Sequence, residues 1–177
     1  MKKVLALIVL IIITITSCVN STKNDWTIKY FKDKYGDILE DSKYISTTKP
    51  IEGTFSNSVA NNSKCNFDFI ISGDDLCGLI ISEYGVYHDS IYKTEYDCEM
   101  RFDDGTTSAD FTAETKRYTD ADKSIIVFEN NWIKDVLLEK KNFKLYLKED
   151  TKYGTPSSYL VSVEASNFET VYLDYKK

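Results

Sequence analysis

Between Glu95 and Phe102 the chain alternates without a break. Tyr96, Cys98, Met100 and Phe102 fall on one side, and Glu95, Asp97, Glu99 and Arg101 on the other. Successive side chains of a strand point to opposite faces, so this pattern demands a sheet with one dry face and one wet face. A helix would carry the charges into its own apolar stripe. The same period recurs along the chain. Cys65, Phe67, Phe69 and Ile71 oppose Lys64, Asn66 and Asp68, and Trp26, Ile28 and Tyr30 share a face. Ile51 to Phe55, Phe143-Leu145-Leu147 and Tyr159-Val161-Val163 repeat it, and Ala109, Phe111 and Ala113 continue it beyond the Asp103-Asp104-Gly105 turn. Leu76 to Glu83 is apolar on both faces and reads as a strand covered on both sides, and Ser124 to Phe128 is one more strand. The 13 Tyr and 9 Phe, against 2 Pro and 7 Gly, suit pleated, half-buried surfaces.

Between these strands the chain is polar. Lys32 to Lys49 contains a turn signal at Gly36-Asp37 and one short strand around Tyr44-Ile45, and Ser56 to Ser63 is a loop. Two helices are expected. The first carries Ile133, Val136, Leu137 and Lys140 at helical spacing behind Asn130 or Asn131 as a cap. The second carries Phe168, Val171, Tyr172 and Tyr175 behind a capping box, Ser166-Asn-Phe-Glu169. Eight or nine short strands with turns between them predict an all-β fold. An antiparallel β-sandwich, Ig-like or related, with two short helices is the leading form, and a closed barrel around a cavity is the alternative.

The N-terminus has a different character. Lys2 and Lys3 precede ten apolar residues, Val4 to Ile13, and then Thr14-Ile15-Thr16-Ser17-Cys18. This is the layout of a secretory signal peptide, too short to span a bilayer. Ile15-Thr16-Ser17-Cys18 resembles the lipobox of bacterial lipoproteins, which implies cleavage before Cys18 and acylation of that cysteine. Residues 1–17 are then a signal peptide, 18–25 a lipidated tether and 26–177 a single β domain. Val19 is not the aspartate that retains such proteins at the inner membrane in enteric bacteria, so the resemblance implies the outer membrane. Trp26-Thr-Ile-Lys-Tyr-Phe31, Gly53-Thr-Phe-Ser-Asn-Ser58 and Glu83-Tyr-Gly85 resemble features of small Bacteroides-type lipoproteins. The tail is similar to that of secreted β-sandwiches of the invasion-associated locus B type, with Asn167 where that group often has Gly. Asp89-Ser90-Ile91 is similar to the O-glycosylation signal of the same bacteria.

Charge and chemistry narrow the functions. Processing removes two of the 22 basic residues and none of the 28 acidic ones, so the domain is acidic. Such a surface repels nucleic acid and anionic lipid, leaving acyl chains on Cys18 as the membrane link. Cys65, Cys77 and Cys98 are odd in number, and Cys65 and Cys98 lie on apolar faces, so free buried thiols are expected. No metal site or cofactor motif is present in the sequence. His88 is the only histidine, and Asp89 and Ser90 beside it diverge from it, so no catalytic triad is expected. The candidate binding loop is Tyr84 to Tyr92, where Tyr84, Tyr87, His88 and Tyr92 depart from strand alternation around Gly85. The expected function is a non-enzymatic, lipid-anchored envelope protein that presents its β domain to a protein or glycan. A lipocalin-like carrier of a small apolar ligand and an envelope hydrolase are the alternatives.

Overall fold

The computed structural model describes residues 25–33, 35–73, 76–87, 94–105, 107–117, 124–151 and 155–177. Eleven strands form in chain order. They are β1 (Trp26–Lys32), β2 (Ile38–Thr47), β3 (Ile51–Ser56), β4 (Ser63–Ser72), β5 (Leu76–Glu83), β6 (Val86–Tyr87), β7 (Glu95–Phe102), β8 (Thr107–Arg117) and β9 (Ser124–Phe128), followed by β10 (Phe143–Asp150) and β11 (Ser158–Val163). Helix α1 (Trp132–Leu138) lies between β9 and β10, and α2 (Phe168–Tyr175) follows β11.

The expected sandwich is not what forms. The sheet closes on itself into an eight-stranded antiparallel barrel. Around the barrel the order is β4-β3-β11-β10-β7-β8-β9-β5, and a β4–β5 ladder from Cys65↔Glu83 to Ser72↔Leu76 completes the ring. Alternation cannot distinguish the two forms, since both ask each strand for one dry face. The difference lies in pairing. In a sandwich two sheets would face each other with free edges, whereas here β4 is bonded to both β3 and β5.

Two glycines help to fit the wall. A Cβ on Gly53 would stand 2.4 Å from the Leu160 carbonyl oxygen and 2.5 Å from Phe67 Cε2, so Gly53 makes room for the Phe67 ring. A Cβ on Gly78 would stand 2.6 Å from the Ile126 carbonyl oxygen, at the β5–β9 seam, where only Gly78↔Val127 and Leu79↔Ile126 pair.

The inward residues are those that alternation assigns to the dry faces. Cys65, Phe67, Phe69 and Ile71 of β4, Tyr96, Cys98 and Met100 of β7, Leu145 and Leu147 of β10 and Tyr159 and Val161 of β11 are all buried in one core. An eight-stranded barrel is just wide enough for side chains to fill it. One end is closed by Ile133 and Leu137 of α1, Phe168 of α2 and Trp26, whose ring sits edge-on to Phe168 at 5.0 Å and to Phe69 at 5.9 Å. β5 is covered on its outer face as well: Leu76 and Ile80 pack with Ile70, Ile125 and Val127, and Phe31 and Tyr44 join them from β1 and β2.

Three local expectations are corrected. β2 runs ten residues, not a short stretch around Tyr44-Ile45, because cross-strand pairing with β1 holds its polar first half. The described start of the expected loop, Tyr84 to Tyr87, is a tight hairpin: Tyr84 (φ 51°) and Gly85 (φ 79°) form a two-residue turn, and β6 pairs with Ser82 and Glu83. Left-handed φ at both central residues is the type I′ requirement. The capping box does not form. Asn167 is the N-cap of α2 without a side-chain bond to the helix, and its amide instead binds Trp26, accepting from Trp26 N–H at 2.7 Å and donating to Trp26 O at 3.1 Å. At α1 the Asn130 side chain accepts from Trp132 N–H at 3.1 Å, while Asn131 takes the N-cap position.

Replacing Gly53 or Gly78 by Ala should test the wall directly. A Cβ at these distances forces backbone to move, so each variant should lose about 1–3 kcal/mol or more of stability. Denaturant unfolding measures it, and an unchanged midpoint for both would mean that the close approaches are not required.

Candidate functional site: barrel rim and acidic outer groove

The barrel end opposite the helices carries a polar layer inside an apolar wall. Tyr159 and Tyr96 point inward and are each 1% exposed. Tyr159 Oη donates to Glu83 Oε1 at 2.8 Å. Glu149 is the cross-strand partner of Tyr96 and accepts from the Ser157 N–H at 3.0 Å. Thr115 donates to the Thr94 carbonyl at 3.1 Å. Among the described residues no basic side chain pairs with Glu83. Burial, then the Glu83 carboxylate, holds the Tyr159 phenol protonated far above its ordinary range. Burial, then Glu149, does the same to Tyr96.

Tyr84 stands at this rim, 74% exposed, with its ring edge-on to Phe55 at 5.4 Å. It therefore covers the last ring of the core while most of its own surface stays in water. Tyr87 is 40% exposed on β6, between Val86 and the segment that follows. His88 and Tyr92, the other two residues of the expected binding loop, lie outside the described residues, as do Cys18 and Asp89-Ser90-Ile91.

A second feature lies on the outer wall. Strand register sets Glu114, Glu95 and Asp150 side by side on β8, β7 and β10, and Asp110 beside Glu99 in a parallel row. A groove of about 570 Å³ runs there, lined by Glu95, Asp97, Glu114, Glu129 and Asp150 with Lys116 as its basic member. Lys116 pairs with Glu114 at 3.2 Å, and Thr112 Oγ1 donates to Glu129 Oε2 at 2.5 Å. A smaller groove continues across Asp97, Glu99, Asp110 and Tyr146 to Lys148. Like charges directly opposite on neighbouring strands repel, and Lys116 beside Glu114 offsets part of that repulsion while the row as a whole stays acidic. Alternation shows each of these acids on a wet face, but the row needs the register, which alternation does not contain.

The three cysteines are buried and free. Burial raises all three thiols from 9.0 to about 12, with the Glu83 carboxylate adding to the effect at Cys65 and Asp97 at Cys98. Among the described residues no cluster of His, Cys, Asp and Glu could hold a metal ion. Nor is any helix among them long and apolar enough to cross a membrane. The chain matches no family model, no curated protein and no solved structure.

The thiols and phenols link stability to pH. Their native pKa values lie above the unfolded values of 9.0 for Cys and 10.0 for Tyr, so the unfolded chain releases protons first. Stability should be full below pH 9 and fall progressively from there toward pH 12, with all three thiols unreactive to a maleimide at pH 8 until the protein unfolds. Fast native labelling, or a flat denaturant midpoint across that range, would contradict the burial assigned here.

Proposed function

We propose that this chain is a lipid-anchored envelope protein, without catalytic activity of its own, whose barrel binds a basic segment of a protein partner. The observation that carries this reading is the row Glu114–Glu95–Asp150 along the outer groove. A partner bearing Lys or Arg would meet a concentrated negative surface there, and complementary charge also speeds encounter. The Asp97, Glu99 and Asp110 carboxylates extend the negative surface beside it, and Tyr146, 37% exposed, offers an aromatic face. The lumen is filled by the protein's own rings, which favours the outer wall over a lipocalin-like interior as the place of binding. The anchor rests on the likeness of Ile15-Thr16-Ser17-Cys18 to a lipobox. Two or more acyl chains hold a protein stably at a bilayer.

Two measurements test this reading separately. A Lys- and Arg-rich peptide titrated onto the protein should bind at low ionic strength and weaken steeply as salt is added. Exchanging two adjacent acids of the row, Glu95→Lys with Glu114→Lys, should weaken the peptide by about tenfold or more while the melting temperature holds. Equal binding by the exchanged variant would remove the groove from the function. For the anchor, Cys18→Ala should abolish incorporation of labelled fatty acid, and persistent labelling would rule out the lipobox.

A further inference from the structure

The β1–β2 hairpin projects beyond the barrel. β2 pairs with β4 only at Ile45↔Ile71, one residue short of the end of β4, and the Lys43 carbonyl still accepts from Ser72 Oγ at 3.2 Å, so it is Ile38 to Asp41 that run on past β4 beside β1. The turn at the tip is tightly held. Asp33 Oδ1 accepts from the N–H groups of Tyr35 at 2.8 Å and Asp37 at 2.9 Å, and Gly36 takes φ 91°. On this tip four large apolar side chains are exposed: Tyr30 is 42% exposed, Tyr35 78%, Ile38 58% and Leu39 41%. A soluble surface scatters such residues singly, and a cluster on one projection marks a contact.

The chain before the domain indicates what the tip meets. Seven residues, Val19 to Asp25, separate Cys18 from Trp26, at most about 25 Å of chain. β1 carries the backbone from Trp26 to Lys32, about 20 Å at strand rise. An acyl group on Cys18 therefore keeps the bilayer within reach of the tip. Tyrosine suits the headgroup level, with an apolar ring and a polar hydroxyl, and Ile and Leu suit the layer beneath. Asp33, Asp37, Glu40 and Asp41 lie near the turn beside Lys32, whereas Lys29 reaches back to Ser46 and Lys43 to the Tyr175 ring, so the contact does not depend on anionic lipid. Resting on the anchor proposed above, we infer that Tyr30, Tyr35, Ile38 and Leu39 of this hairpin form a second membrane contact, which inserts into the interface of the bilayer that holds Cys18 and fixes the posture of the barrel. The rim with Tyr84 and the acidic groove then face away from, or along, the lipid surface.

The test uses the full lipidated chain in vesicles of phosphatidylcholine and phosphatidylethanolamine. Tyr35→Cys can be labelled selectively with an environment-sensitive fluorophore, because the native thiols are buried. Lipids carrying nitroxides on their acyl chains should quench a label at position 35 by about half or more, and a label introduced by Tyr84→Cys far less. Absence of quenching at position 35 in protein that incorporates labelled fatty acid would overturn the inference alone. A blue shift at position 35 without quenching would place a protein surface, such as a second copy, on the tip, and would overturn it too. Equal quenching at positions 35 and 84 would replace a fixed posture with a random one. Failure to incorporate fatty acid would overturn the anchor, and the tether geometry with it.

Discussion

The architecture depends on β4 having both edges in use. One edge is bonded to β5 over eight residue pairs, from Cys65 to Ser72. The other is bonded first to β3 and then, near the end, to β2 at Ile71. A strand held on both sides and packed with Phe67, Phe69 and Ile71 turns an open sheet into a ring and leaves the barrel without free edges. Burying each such side chain stabilises by about 1.5–3 kcal/mol, and closure lets inward residues of all eight strands share one core. The weakest part of the ring is β5–β9, with two residue pairs. The outer cluster of Ile70, Ile125 and Val127 lies over this seam, with the rings of Phe31 and Tyr44 beside it, tilted against each other at 4.5 Å. The hairpin that projects from the barrel therefore also braces it.

The two ends of the lumen are finished differently. At the helix end the closure is apolar, through Ile133, Leu137, Phe168 and Trp26. At the rim, buried phenols meet carboxylates, and a single 2.8 Å bond from Tyr159 to Glu83 satisfies a hydroxyl that burial would otherwise leave without water. The same burial keeps Tyr96, Tyr159 and the three thiols protonated. Thiolates are the reactive form, so these cysteines behave as small core hydrophobes, as the apolar faces of their strands suggest. The polar chemistry of the domain is left to its outer wall, where charges are wet and positioned by strand register.

Much of the strand pattern was legible. The inward faces of β4, β7, β10 and β11 follow from alternation residue by residue, and the double-sided apolar run of β5 anticipates its burial on both faces. The ring was not legible, because each strand needs one dry face whether sheets close or stack. The first half of β2 was missed because Glu40, Asp41 and Lys43 carry no apolar period, and pairing with β1 decides their conformation. Tyr84 stands out from alternation for a definite reason. Tyr84 occupies a left-handed turn position and lies edge-on to Phe55, so it obeys turn geometry and ring packing rather than strand period. The acidic row was half legible: its residues were plainly on wet faces, but their adjacency belongs to the register.

Asn167 shows how one residue can answer two sequence patterns at once. It sits inside a four-residue run that has the form of a capping box, yet Ser166 takes φ 34° and Glu169 reaches Lys140 at 2.7 Å. The Asn167 amide is thereby free to bind both the N–H and the carbonyl of Trp26, while the indole N–H donates to the Glu164 carbonyl at 2.9 Å. Glycine at this place would offer none of these bonds. The first described strand is thus fastened to the last helix at the point where the chain joins the domain, and Thr48 N–H adds a bond to the Asp25 carbonyl at 2.8 Å. A tether that ends at Trp26 would transmit its load into a residue buried at 2% exposure and held by three hydrogen bonds, two to its backbone and one to its indole. The helix end of the barrel is therefore both the plug of the core and the mount of the chain that precedes it.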